Sequence, residues 1–363
     1  MQPIQTLDEF FTRSGAEVSL YHMGRHVVAC PRESLAAFEH GEMAWPEPWQ
    51  GQARLAIVFR LGDMPEPAIW FLALPLDEQG LLVPAQRDAF LNRLLETLGR
   101  NVSQLGRAEP LGREEPLEHK EPLGREETAD VDHLMKDNPL AFTPNVTFQA
   151  MLNARATHSR GLPASQHLEP VEAYFSGQQN IDWQALGLQG IADYVVRMEA
   201  SEAESLALRL ESLPTAVIHS VCYCLEHQPL PAALVAALQR RGEAAAQTGD
   251  VETLCACIRA VGNANVPEAG EWYSGLLSDT AACGPDVLAA IAGRGWQYLE
   301  DGQRLPLFLQ RLSEDERTDF AAVVRDLALQ PRLRLPVMMA LRDAPAGSSI
   351  QRRLAMMMQQ RNV

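Results

Sequence analysis

A chain of 363 residues with 31 Lys and Arg against 47 Asp and Glu carries a formal charge of −16. So acidic a surface is repelled by nucleic acid and by anionic lipid, which argues against both nucleic acid and membrane as partners. The 46% hydrophobic and 21% charged content is that of a globular protein, and the length leaves room for two or three domains.

No basic stretch followed by a long apolar run opens the chain, and the longest apolar stretch, 68–76, is broken by Pro75. That is far short of the ~20 residues a membrane span needs, so a cytoplasmic protein is expected. The six Cys form no dense framework and are expected to be reduced.

Residues 1–102 read as a small α+β domain. A first helix is expected over 6–13, with Ile4, Leu7, Phe10 and Phe11 on one side. Residues 17–30 favour strand with a turn near Met23-Gly24, and a short helix over 33–39 follows Pro31. The strongest strands are 52–61 and 68–74. The Gly- and Pro-rich loop between them predicts an antiparallel hairpin. Pro84 opens a long helix to about Arg100, Pro being tolerated in a first turn.

Residues 103–138 read as an acidic disordered linker. Glu-Pro-Leu begins at Glu109, Glu115 and Glu121, and the surrounding hexamers have almost nothing to bury against their ordering entropy. Residues 139–187 read as a helical connector with helices near 147–157 and 168–175.

From 188 to 363 the chain reads as an all-α helical-repeat array resembling a HEAT-like solenoid. Apolar triplets at i, i+3, i+4 recur as Leu188-Ile191-Ala192, Val221-Cys224-Leu225, Leu254-Cys257-Ile258, Leu288-Ile291-Ala292 and Phe320-Val323-Val324. Each marks one helix face, and a second apolar helix follows near Leu206, Leu234, Trp272, Phe308 and Met338. Such helix pairs stack, and their usual task is to hold a partner.

Chemical motifs are weak beside that pattern. Cys222-x-Cys224 and Cys255-x-Cys257 have the wrong spacing for a zinc knuckle, and the repeat register puts Cys224 and Cys257 at core positions. No cofactor or metal is expected. His22 and His26 fall in an extended segment, too far apart there to share an ion; His219 and His227 are expected to cap a helix or line the surface. No nucleophile elbow or phosphate loop is present.

Candidate partner-binding residues are the Pro-stiffened aromatics Trp45 and Trp49, Arg25, Asp77 in a polar turn, and Arg352 and Arg353. The last two belong to a basic C-terminal cluster that also holds Arg332, Arg334, Arg342 and Arg361, with Met338, Met339, Met356, Met357 and Met358 among them.

Several segments resemble an uncharacterised bacterial family, the domain of unknown function numbered three thousand five hundred and forty-nine. They are Met23-Gly24-Arg25, Trp45-Pro46-Glu47-Pro48, Trp70-Phe71-Leu72, Leu76-Asp77-Glu78-Gln79-Gly80-Leu81, Gly161-Leu162-Pro163-Ala164-Ser165-Gln166, Tyr174-Phe175-Ser176-Gly177 and Gly187-Leu188-Gln189-Gly190-Ile191. The resemblance implies a cytoplasmic bacterial protein and confers no catalytic residues. Together these features favour a non-enzymatic interaction or scaffold protein that uses the array to hold a protein partner. The rival reading is an enzyme or small-ligand binder with a pocket between the N-terminal sheet and the array.

Overall fold

The computed structural model describes residues 4–61, 64, 66–105, 135, 138–177 and 181–361, with the side chains of 97–105, 360 and 361 excepted. The Glu-Pro-Leu hexamers, and the disorder expected of them, lie outside the described residues. Two compact units result: Met1–Gly24 with Ala29–Pro144, and Arg25–Val28 with Asn145–Val363.

The first unit is α+β. Helix α1 (Leu7–Ser14) starts at Thr6, whose side chain accepts from the Glu9 backbone, and stops at Gly15 in the left-handed region. Helix α2 (Arg32–Glu39) supplies a second cap. The buried Glu39 carboxylate accepts from the backbone N–H groups of Leu7 (2.8 Å) and Asp8 (2.9 Å), and Arg87 neutralises it at 2.9 Å. An acid at a helix N-terminus satisfies orphan donors and meets the positive end of the dipole.

The sheet runs in the order β2-β1-β3-β4, from β1 (Glu17–His22), β2 (Val28–Cys30), β3 (Gln52–Arg60) and β4 (Ala68–Pro75). The predicted hairpin is present, with β3 and β4 antiparallel and Ile57 opposite Trp70. The extended segment expected over 17–30, with its turn near Met23-Gly24, is present as two strands parted at residues 23–27. Phe11, Phe59, Trp70 and Phe90 of helix α3 (Pro84–Leu105) interlock at centroid distances of 4.7–5.8 Å and centre the core.

The unit continues past the expected start of the connector. Ala73 donates to the Leu140 carbonyl at 2.7 Å and Phe142 to the Phe71 carbonyl at 3.2 Å, so residues 140–142 lie along β4.

The second unit is the helical array. One layer stacks α4 (Val146–Ser159), α6 (Leu188–Arg197), α8 (Thr215–Leu225), α10 (Val251–Ala260), α12 (Pro285–Arg294) and α14 (Phe320–Leu329), each on the next. A second layer stacks α5 (Leu168–Ser176), α7 (Ala200–Arg209), α9 (Ala232–Thr248), α11 (Pro267–Ser278), α13 (Arg304–Glu314) and α15 (Arg334–Arg342) in the same way. Helix α16 (Ser349–Arg361) packs back on α13 and α14.

The triplets point into the core: Val221, Leu225, Cys257, Ile258 and Ile291 are fully buried. Helices α4 and α5, expected in a connector, are one more pair of the stack. Phe148, Met151 and Leu152 form the same i, i+3, i+4 triplet and are buried. That triplet begins 40 residues before Leu188 rather than at the array's period, which hid it.

Candidate functional site

Most of the residues expected to face a partner are engaged within the fold. Arg25 is fully buried. Its guanidinium donates to the carbonyls of Ala292 (2.7 Å) and Gly293 (3.3 Å), pairs with Asp326, and lies 4.7 Å over the Trp296 ring. So enclosed a cation anchors its own chain and presents nothing to a partner, contrary to expectation.

Trp45 is also fully buried, packed on Phe38 and His22 at 4.9 and 4.8 Å. Trp49 is half-buried and closes a tight turn on Gln52 through two backbone bonds, with Gln50 and Gly51 both at positive φ. A Cβ at Gly24 would come within 3.0 Å of the Trp49 Cβ, so glycine there permits the close approach.

Asp77 is exposed, but its carboxylate accepts from the backbone of Gln79 (2.7 Å) and Leu81 (2.9 Å), which makes it a turn former. Arg353 donates to the carbonyls of Ser313 (3.3 Å) and Asp315 (2.5 Å), tying α16 to the end of α13; the exposed Arg352 reaches the Gly347 carbonyl at 3.2 Å.

The chemistry of the array gathers where α8, α10 and α12 end. Glu226, directly after α8, is 1% exposed. Arg259 of α10 binds it bidentately at 2.8 and 3.1 Å, and Arg294 of α12 donates to it at 2.8 Å. Burial alone would raise the Glu226 carboxyl. Arg294 and Arg259 outweigh that and hold it at about 2, so it is always ionised near neutrality.

His227 beside it is fully buried, where the expectation was a surface histidine. Val27 donates its backbone N–H to Nδ1 at 3.1 Å, which assigns the proton to Nε2, 3.8 Å from Glu226. The ring meets Phe148 edge-on at 4.8 Å, and His26 lies against Trp296 at 4.9 Å. The charged groups are spent on other protein groups, so the network fastens Arg25–Val28 and three repeats together.

Burial, joined by Arg294, His26 and Arg155, pushes His227 well below its ordinary value of 6.5. An unfolded chain takes up that proton near pH 6.5 and the native chain does not. Stability is therefore fully present above pH 6.5 and falls as pH drops through it, by up to about 1.4 kcal/mol per pH unit. Denaturant unfolding of His227→Gln should lose about 1 kcal/mol less than the parent between pH 6.5 and 5.5. Equal slopes would show that the imidazole is not held neutral.

Glu226 belongs to no catalytic or ligand-binding motif, yet the sequence carries a signal for it. A helix end favours cations, so an acid closing an apolar helix calls for a cationic partner. Asp193, Glu226, Arg259, Arg294 and Asp326 follow one another near the last turns of successive repeats. Asp193 likewise accepts from the Ser165 backbone (3.1 Å) and hydroxyl (2.6 Å).

The paired cysteines behave as packing residues: Cys222, Cys224 and Cys257 are buried free thiols. Burial pushes the Cys255 thiol up to about 11 and the Cys30 thiol to about 12, so neither is a ready nucleophile.

A different surface is left open at α15. Leu335, Met338 and Met339, at i, i+3 and i+4, are 67%, 58% and 43% exposed, and Arg342 continues their stripe. Val337, on the opposite side of the helix, is fully buried. Every earlier helix of this layer has a following helix packed on it, whereas α16 turns back on α13 and α14. A cleft of about 670 Å³ opens nearby, lined by Gln310, Glu314, Ala340, Asp343, Ile350 and Arg352.

Among the described residues no helix is long and apolar enough to cross a membrane. No curated protein and no solved structure matches the chain. A family model, described as "Protein of unknown function (DUF3549)", matches residues 2–358. With nearly its whole length matched, and with the sheet and stacked helices described above, this chain belongs to that family.

Proposed function

We propose that this chain is a non-enzymatic, cytoplasmic interaction or scaffold protein whose helical array holds a protein partner along α15. The observation that carries this reading is the exposed Leu335-Met338-Met339 stripe, on a helix whose layer otherwise covers each member with the next. The terminal repeats of a solenoid ordinarily turn a polar face outward, and apolar side chains at helical spacing there mark a contact site. Methionine suits such a surface because its thioether chain adapts to what it meets. The buried charges offer no competing site, being consumed in holding repeats together.

The test places a photo-crosslinking residue at position 338 in the cells the chain comes from. The control places it at Leu208, which is 87% exposed on α7 of the same array. A discrete protein adduct is expected from 338 and not from 208. No adduct at 338, or the same adducts from both positions, would end the reading.

A further inference from the structure

We infer that the occupant of the α15 edge is an acidic amphipathic helix of a partner protein, an inference that rests on the docking reading above. The shape follows from the stack. Each helix of the layer is followed by another, so the element that fits the next place is a helix with an apolar face at i, i+3, i+4 and i+7.

The charge follows from what borders the stripe. Arg332, Arg334 and Arg342 are all exposed, and from residue 332 onward Asp343 is the only acid. Arg332 stands 3.5 Å from Glu300 and Arg342 stands 2.8 Å from Asp343. Helix α15 has no acidic residue in its first turn. Arg332 and Arg334 therefore add to the positive end of its dipole instead of offsetting it, which leaves that end attractive to carboxylates. The cations act on groups within a Debye length of about 8–10 Å, whereas the chain's acidic groups farther away than that are largely screened.

A second copy of the chain fits less well. Three apolar side chains fall well short of the roughly 800 Å² per partner that a stable dimer buries.

The test uses the full chain and two synthetic peptides, each with Leu at i, i+3, i+4 and i+7. One carries Glu at its remaining positions and the other Lys. The acidic peptide should bind at least about tenfold tighter at low salt, with the advantage shrinking as salt is added. The double variant Arg334→Glu/Arg342→Glu should lose that preference and turn to the Lys peptide. Leu335→Ser/Met338→Ser should weaken both, its fold checked by circular dichroism.

Equal binding of the two peptides, or indifference to the Arg variant, would overturn the inference. So would a concentration-dependent dimer that the serine variant abolishes, since a second copy would then be the occupant. A crosslinked adduct at 338 without peptide discrimination removes only the acidic helix; the absence of any adduct removes the docking reading itself.

Discussion

Glu226→Gln should destabilise the protein by about 3 kcal/mol or more, because it leaves buried cations without their counter-charge. Arg294 is the costly one: its side chain is 8% exposed, while Arg259 is a third exposed and can turn partly to water. The variant keeps the volume of the side chain and one acceptor, so the loss reports charge rather than a cavity. Adding Arg294→Met should recover part of it, since removing the stranded cation with its partner costs less than stranding it.

The parent has a second signature. A carboxyl held at about 2, against an ordinary 4.5, contributes stability that is complete above pH 4.5 and is lost as pH falls toward 2. Denaturant titrations at pH 7 and at pH 3 measure both effects, and Glu226→Gln should flatten the acid limb. A loss under about 1 kcal/mol at pH 7 would mean that the arginines find other partners or reach solvent.

Gly190→Ala should be nearly as damaging. Helix α6 crosses the chain at His167 so closely that a Cβ on Gly190 would lie 2.0 Å from the His167 carbonyl oxygen and 2.9 Å from a Val171 methyl. The first obstacle is backbone and cannot swing aside, so α6 must shift away from α5 and loosen the contacts of Val171 and Ile191. The expected cost is at the upper end of overpacking, about 3 kcal/mol. Gly275→Ala, with nothing within 4 Å of its would-be Cβ, is the matched control and should be neutral or slightly stabilising. Similar melting temperatures for the two variants would show that the stack tolerates separation at that crossing.

The candidate surface is partly legible in the sequence. The C-terminal Arg and Met residues stand out by composition, and the α15 face shows as Leu335, Met338, Met339 and Arg342 at helical spacing. What periodicity cannot supply is whether another helix covers that face. The same spacing marks Val221, Cys224 and Leu225, which are fully buried. Arg353 shows the converse: it stands beside Arg352 in the sequence, yet it is committed to two carbonyls of the α13 end.

The chain alone determined its secondary structure and its repeat. Those depend on local rules: apolar residues recurring every third and fourth position, Pro at helix starts, and a Gly- and Pro-rich loop between two apolar strands. Only the tertiary structure decided where charge goes. Arg25 meets Asp326 across 301 residues and Arg294 meets Glu226 across 68, and no local pattern records such pairings. An ion is drawn into the interior only when several chain segments converge to neutralise it, so its environment belongs to the assembled fold and not to its neighbours in sequence.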